Sequence, residues 1–153
     1  MEELFRGMPE PRETARVMIR LLAAIIFGGL IGYNRERAGK EARLPTHMLV
    51  ALGACVFVVV PVQMGMADEA LARVVEGVAT GIGFLGAGAI LKAPRKDEIE
   101  GLTTAAGIWL TAGVGAVTGL GGLGIALSAI ILAWLILTAV MALEKRAKRR
   151  PEL

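Results

Sequence analysis

From Gly101 to Leu143 the chain runs for 43 residues without one charged side chain. A stretch above about 18 apolar residues reads as a membrane span. At about 1.5 Å rise per residue, this block as a single helix would reach about 65 Å, roughly two hydrocarbon cores. It must therefore turn back on itself, and Gly119-Leu-Gly-Gly-Leu-Gly124 is where it can. The rest of the chain follows the same plan: apolar residues make up 55% of it, charged residues 20%, and nearly all the charges fall between the apolar blocks. The fold class is thus an all-α membrane protein, a bundle of about five transmembrane helices with Gly-rich helix contacts. The spans are expected at about 17–33, 48–67, 74–91, 102–118 and 123–143. Residues 1–16 form an N-terminal segment and 144–153 a basic tail. Thr46 is expected to N-cap the second span, and Pro61 to kink it near its far end.

Orientation follows from the Lys and Arg count on each side. With five spans, one side holds four in the first charged loop, three in the second and five in the tail. The other side holds four in the N-terminal segment and Arg73. The twelve-charge side should be cytoplasmic, so the chain is expected in a bacterial inner membrane with its N-terminus out and its C-terminus in. Reporter fusions after Ala67 and Leu153 should then report opposite compartments. Arg12, Arg16 and Arg20 share one helix face and read as snorkelling anchors at the membrane edge. Glu2, Glu3, Glu10 and Glu13 precede the first apolar stretch and no A-x-A-like site follows it, so that stretch is expected to stay in the mature protein.

Several function classes are disfavoured. The basic residues flank spans and aromatics are only 5%, so nucleic acid is not an expected partner. The single cysteine, Cys55, permits neither an internal disulfide nor C-x-x-C metal chemistry and reads as a packing residue. One histidine cannot form a His cluster, and the one serine, Ser128, lies in the last span. No catalytic residue is identified, and neither an enzyme nor a cofactor is expected. Gly81-Ile-Gly83-Phe-Leu-Gly86 matches G-x-G-x-x-G, but it lies in an apolar block without the strand that a dinucleotide site needs.

The glycines point to helix packing instead. Gly28 and Gly32, Gly77 and Gly81, and Gly115 and Gly119 are G-x-x-x-G pairs, a spacing that lets backbones approach in lipid. Gly83, Gly86 and Gly88 extend the second set. The plain reading is contact within one chain, with a homo-oligomer as the alternative. Glu76 is the one acid inside an apolar block, within reach of Arg73 at i−3 or of the interface. An acid there is otherwise a functional candidate.

The five-span plan also brings distant residues to one membrane face. Asn34, Arg35 and Glu36 end the first span, Thr46 and His47 begin the second, and Thr103 and Thr104 begin the fourth. Two helix N-termini there carry partial positive charge and free N–H groups, which suits an anion or an acidic surface. His47 reads most simply as an interfacial polar residue. The identity of any metal is left open: Glu36, Glu41, Asp97, Glu98 and Glu100 could supply the carboxylates that a hard cation prefers.

At these residues the chain resembles the MgtC/SapB family of bacterial inner-membrane proteins. The matching blocks are Gly28-Gly-Leu-Ile-Gly32 with Arg35-Glu36, Thr46-His-Met-Leu-Val-Ala-Leu-Gly53, Gly81-Ile-Gly-Phe-Leu-Gly-Ala-Gly88 and Gly101-Leu-Thr-Thr-Ala-Ala-Gly-Ile-Trp109. The resemblance covers about Leu21 to Leu143. The chain departs at Asn34, where the family usually has an acid, and at Ala42-Arg-Leu-Pro-Thr46, where it usually has Ala-Gly-Leu-Arg-Thr. The resemblance implies growth under low magnesium, a regulatory role and a membrane-protein partner, with the F-type ATP synthase among those proposed for the family. It also implies, as the alternative, a Mg²⁺ transporter or channel. The chain looks like the family's short form, without a soluble C-terminal domain.

Overall fold

The computed structural model describes residues 10–40, 42–92 and 99–147, with side chains over 10–40, 42–90 and 100–139. Residues 1–9, the loop acids Glu41, Asp97 and Glu98, and the tail beyond Ala147 lie outside the described residues. Five helices follow one another: α1 (Pro11–Arg37), α2 (Leu44–Gln63), α3 (Asp68–Gly88), α4 (Leu102–Gly119) and α5 (Leu123–Ala147). Between α3 and α4, the two-residue strands β1 (Leu91–Lys92) and β2 (Ile99–Glu100) pair antiparallel. The first four helices are long and apolar enough to cross a membrane; α5 carries a shorter apolar run, Leu123–Ala139. The protein is an all-α membrane protein, with helices that start earlier or end later than the apolar blocks alone indicate.

Three of the four turns between helices have the same physical cause. Gly39, Gly65 and Gly121 each take a positive φ one residue past a helix C-cap. In each case the next N–H reaches back to the third-last helical carbonyl: Lys40 to Arg35, Met66 to Pro61 and Gly122 to Val117. This is the glycine-dependent ending that closes the last carbonyls of a helix. Pro61 lies inside α2, which ends two residues later at Gln63.

Two of the three G-x-x-x-G pairs pack inside the chain. A Cβ on Gly28 would lie 2.5 Å from the His47 carbonyl oxygen, and one on Gly32 would lie 2.8 Å from Leu44 Cα. On α4, Gly115 is pressed against the Ala51 backbone and Gly119 against that of Cys55. So α1 and α4 both lie close on α2, and Ala24, Ala51 and Cys55 fill the seam at 0% exposure. A second apolar cluster, Ile31, Val114, Ala126 and Ile130, joins α1 and α4 to α5. Trp134 adds a tie, donating its indole N–H to the Leu30 carbonyl at 3.2 Å.

The third pair behaves differently. Among the described residues, nothing approaches within 4 Å of a Cβ on Gly77, Gly81, Gly83 or Gly88. Of this group only Gly86 meets a neighbour, at 3.7 Å from Ala105 Cβ. Intramolecular packing does not account for these four glycines. Helix α3 is only 6% buried over its most apolar window, against 50% for α4. Between α3 and the α2–α4 seam lies an apolar cleft of ≈ 630 Å³, bounded by Phe57, Val78, Leu85 and Ala112 among others.

Candidate functional site

One end of the bundle gathers the C-termini of α1 and α3 with the N-termini of α2 and α4. Here four buried polar side chains meet. Arg35, in the last turn of α1, is 2% exposed, and its Nη2 donates to Thr104 Oγ1 at 3.2 Å, across 69 positions of sequence. His47, in the first turn of α2, is 0% exposed and lies 2.7 Å from Thr111 Oγ1 through its Nδ1. Thr111 donates its own proton to the Gly107 carbonyl at 2.7 Å. A hydroxyl has one proton, so Thr111 must accept from the ring, and this assigns the His47 proton to Nδ1. The other ring nitrogen, Nε2, is then a buried lone pair.

That lone pair has no hydrogen-bond partner among the described residues, and neither has Arg35 Nε. Both flank the same gap. A carbon placed on Gly107 would lie 3.6 Å from His47 Cε1 and 3.8 Å from Arg35 Nε. Gly107 thus leaves room for a donor and an acceptor that the fold holds but does not pair. Buried polar groups are ordinarily satisfied, so this is a stored hydrogen-bonding capacity. Asn34 Oδ1 is a third buried atom without a partner.

Three of the sequence candidates therefore converge as polar atoms, Arg35, His47 and Thr104, while Asn34, next to Arg35 on α1, is not shown in contact with them. The others sit nearby in different roles. Glu36 points away from Arg35, and its Oε2 accepts the Leu44 N–H at 3.3 Å, closing the start of α2 from outside that helix. Thr46 is not the N-cap. Helix α2 begins at Leu44 after Arg43 and has no side-chain cap of its own, so Thr46 lies within the first turn, exposed, on a cleft it shares with Thr104 and Phe84. Thr103 is exposed and shares with Thr104 a second pocket at the start of α4. His47 is buried within the bundle, because Gly28 and Gly32 draw α1 onto it and α4 covers the rest.

Sequence reasoning missed Thr111 and Gly107. The signal was present: Thr104, Gly107 and Thr111 are spaced i, i+3, i+7 and share one face of α4. Two other candidates lie elsewhere. Glu76 is exposed and makes no pairing with Arg73; it faces a shallow cleft near Asp68 and Leu120 at the opposite end. Arg20 is more than a snorkelling anchor. Its Nη1 donates to the Gly119 carbonyl at 2.9 Å, placing a cation on the C-terminus of α4. Among the described residues, no group of three or more His, Cys, Asp or Glu could hold a metal ion.

The profile of the MgtC family matches residues 21–146, a stretch that contains every residue of the cluster. The chain is 50% identical to the protein SrpB of Synechococcus elongatus over 113 residues, which is 67% of this chain and 62% of that protein. It is 44% identical to YhiD of Escherichia coli K12 over 116 residues, 71% of this chain and 53% of that one. It is 39% identical to MgtC of Salmonella typhimurium LT2 over 132 residues, 86% of this chain and 54% of that one. The chain thus spans between about half and three fifths of the length of these relatives. No solved structure matches it.

Proposed function

The chain belongs to the MgtC family, and we propose that it is a regulatory membrane protein that binds another membrane complex and supports adaptation to low magnesium. In this reading it sits in a bacterial inner membrane with its C-terminus and the Arg35 end of the bundle in the cytoplasm. The observation that carries the reading is α3. Its glycine-lined face, Gly77 and Gly81, meets no described side chain of its own bundle and borders an apolar cleft. Small residues at that spacing let a second helix approach closely in lipid, so this face suits a transmembrane helix of a partner.

The second reading, a carrier or channel for Mg²⁺, is less well supported. A conduit needs polar groups that receive the ion, and the buried polar cluster of this bundle carries a guanidinium. Beside a dication in a low-dielectric interior that charge repels, whereas Mg²⁺ favours carboxylates and retained waters.

Photo-crosslinking in the native membrane tests the partner reading. A crosslinking residue at Gly77 or Gly81 should give a discrete heteromeric product. The same residue at Ile136, an exposed position on α5, should give none. Equal labelling from both positions, or labelling of lipid alone, would contradict it.

A further inference from the structure

Arg35 is a buried guanidinium with no counter-charge among the described residues. Its neighbour Glu36 is turned to the Leu44 N–H, and its one partner is the neutral hydroxyl of Thr104. A buried cation is costly unless an opposite charge completes it. Thr104 is also the wall between Arg35 and a polar pocket of ≈ 420 Å³ at the start of α4, lined by Lys40, Glu100, Gly101 and Thr103 as well. Gly101 caps α4 with φ 91 and brings no side-chain cap, so the first-turn N–H groups of an 18-residue helix remain to be satisfied there. The Thr104 hydroxyl accepts from Arg35 and keeps its own proton to give.

We propose that this pocket binds a phosphate group, as free phosphate or as the headgroup of a phosphomonoester lipid. The α4 N-terminus and the Lys40 ammonium hold its charge, while the Thr103 and Thr104 hydroxyls donate to its oxygens. Arg35 stands behind Thr104 and donates to it through Nη2, and an anion in front of Thr104 supplies the charge that its burial lacks. Glu100, the one carboxylate on the pocket wall among the described residues, accepts the proton of a protonated phosphate oxygen. That requirement favours a monoester or free phosphate over a diester.

The test uses the full chain, delipidated in a maltoside detergent that carries no phosphate, with the thermal unfolding midpoint as readout. Inorganic phosphate, a short-chain phosphatidate and the matching diacylglycerol are titrated separately, with chloride at equal ionic strength as control. Saturable stabilisation by phosphate identifies the free anion. Stabilisation by phosphatidate but not by phosphate or diacylglycerol identifies a lipid headgroup. Lys40→Ala and Thr103→Ala change exposed side chains and leave the bundle folded; each should weaken the apparent affinity by about fivefold or more. Arg35→Gln should abolish the shift if it folds. No shift with either phosphate source, or a shift equal in the wild type and both exposed variants, would overturn the proposal.

Discussion

Arg35 and Glu36 are adjacent in sequence and opposite in placement. Arg35 turns inward to Thr104, while Glu36 turns outward to the first N–H of α2. The account therefore separates them. Glu36→Ala removes a helix cap, worth about 1 kcal/mol, and growth support in low magnesium should fall only as membrane abundance falls. Arg35→Ala should abolish growth support at unchanged abundance, because it removes the charge of the cluster. Complementation with matched immunoblots reads both; full complementation by Arg35→Ala would return the arginine to a structural role. The sequence alone placed Arg35, His47 and Thr104 at one membrane face. It did not reveal their depth. His47 precedes a span and reads as interfacial until the two glycines that pull α1 over it are in view, and that closeness is a tertiary fact. Thr46 was misleading for a local reason: Pro45 favours the first turn of a helix, which sets the start at Leu44 and moves Thr46 inside.

At the scale of helices, glycine spacing was legible but its use was not. The same G-x-x-x-G pattern occurs on α1, α3 and α4, yet only α1 and α4 use it against α2. A single sequence cannot say which face finds a partner within the chain and which is left open. The structure makes the three cases experimentally distinct. Gly115→Leu would drive a side chain into the Ala51 backbone, an overpacking that costs about 1–3 kcal/mol or forces α4 away from α2. Detergent-solubilised yield should fall and the size-exclusion profile broaden. Gly83→Leu meets open space in the monomer, so the protein should stay monodisperse while any contact made through α3 is lost. Equal damage from both substitutions would mean that α3 packs within its own chain more closely than its exposure indicates.

As a whole molecule, the described protein is a tight α1–α2–α4 core, with α5 packed on α1 and α4 and with α3 packed mainly on α4 while most of its surface stays exposed. Its buried polar groups concentrate at one end, where a guanidinium and a neutral imidazole leave one donor and one acceptor unpaired. A bundle built this way is suited to being bound and to sensing an anion. Its buried polar cluster is poorly suited to passing a dication, since the Arg35 guanidinium would repel the ion. The most direct measurement is magnesium flux into proteoliposomes that contain the purified full chain. The account predicts flux no greater than in protein-free liposomes, in the wild type and in Arg35→Ala alike. Protein-dependent, saturable magnesium uptake that changes in Arg35→Ala would contradict it and make the transport reading correct.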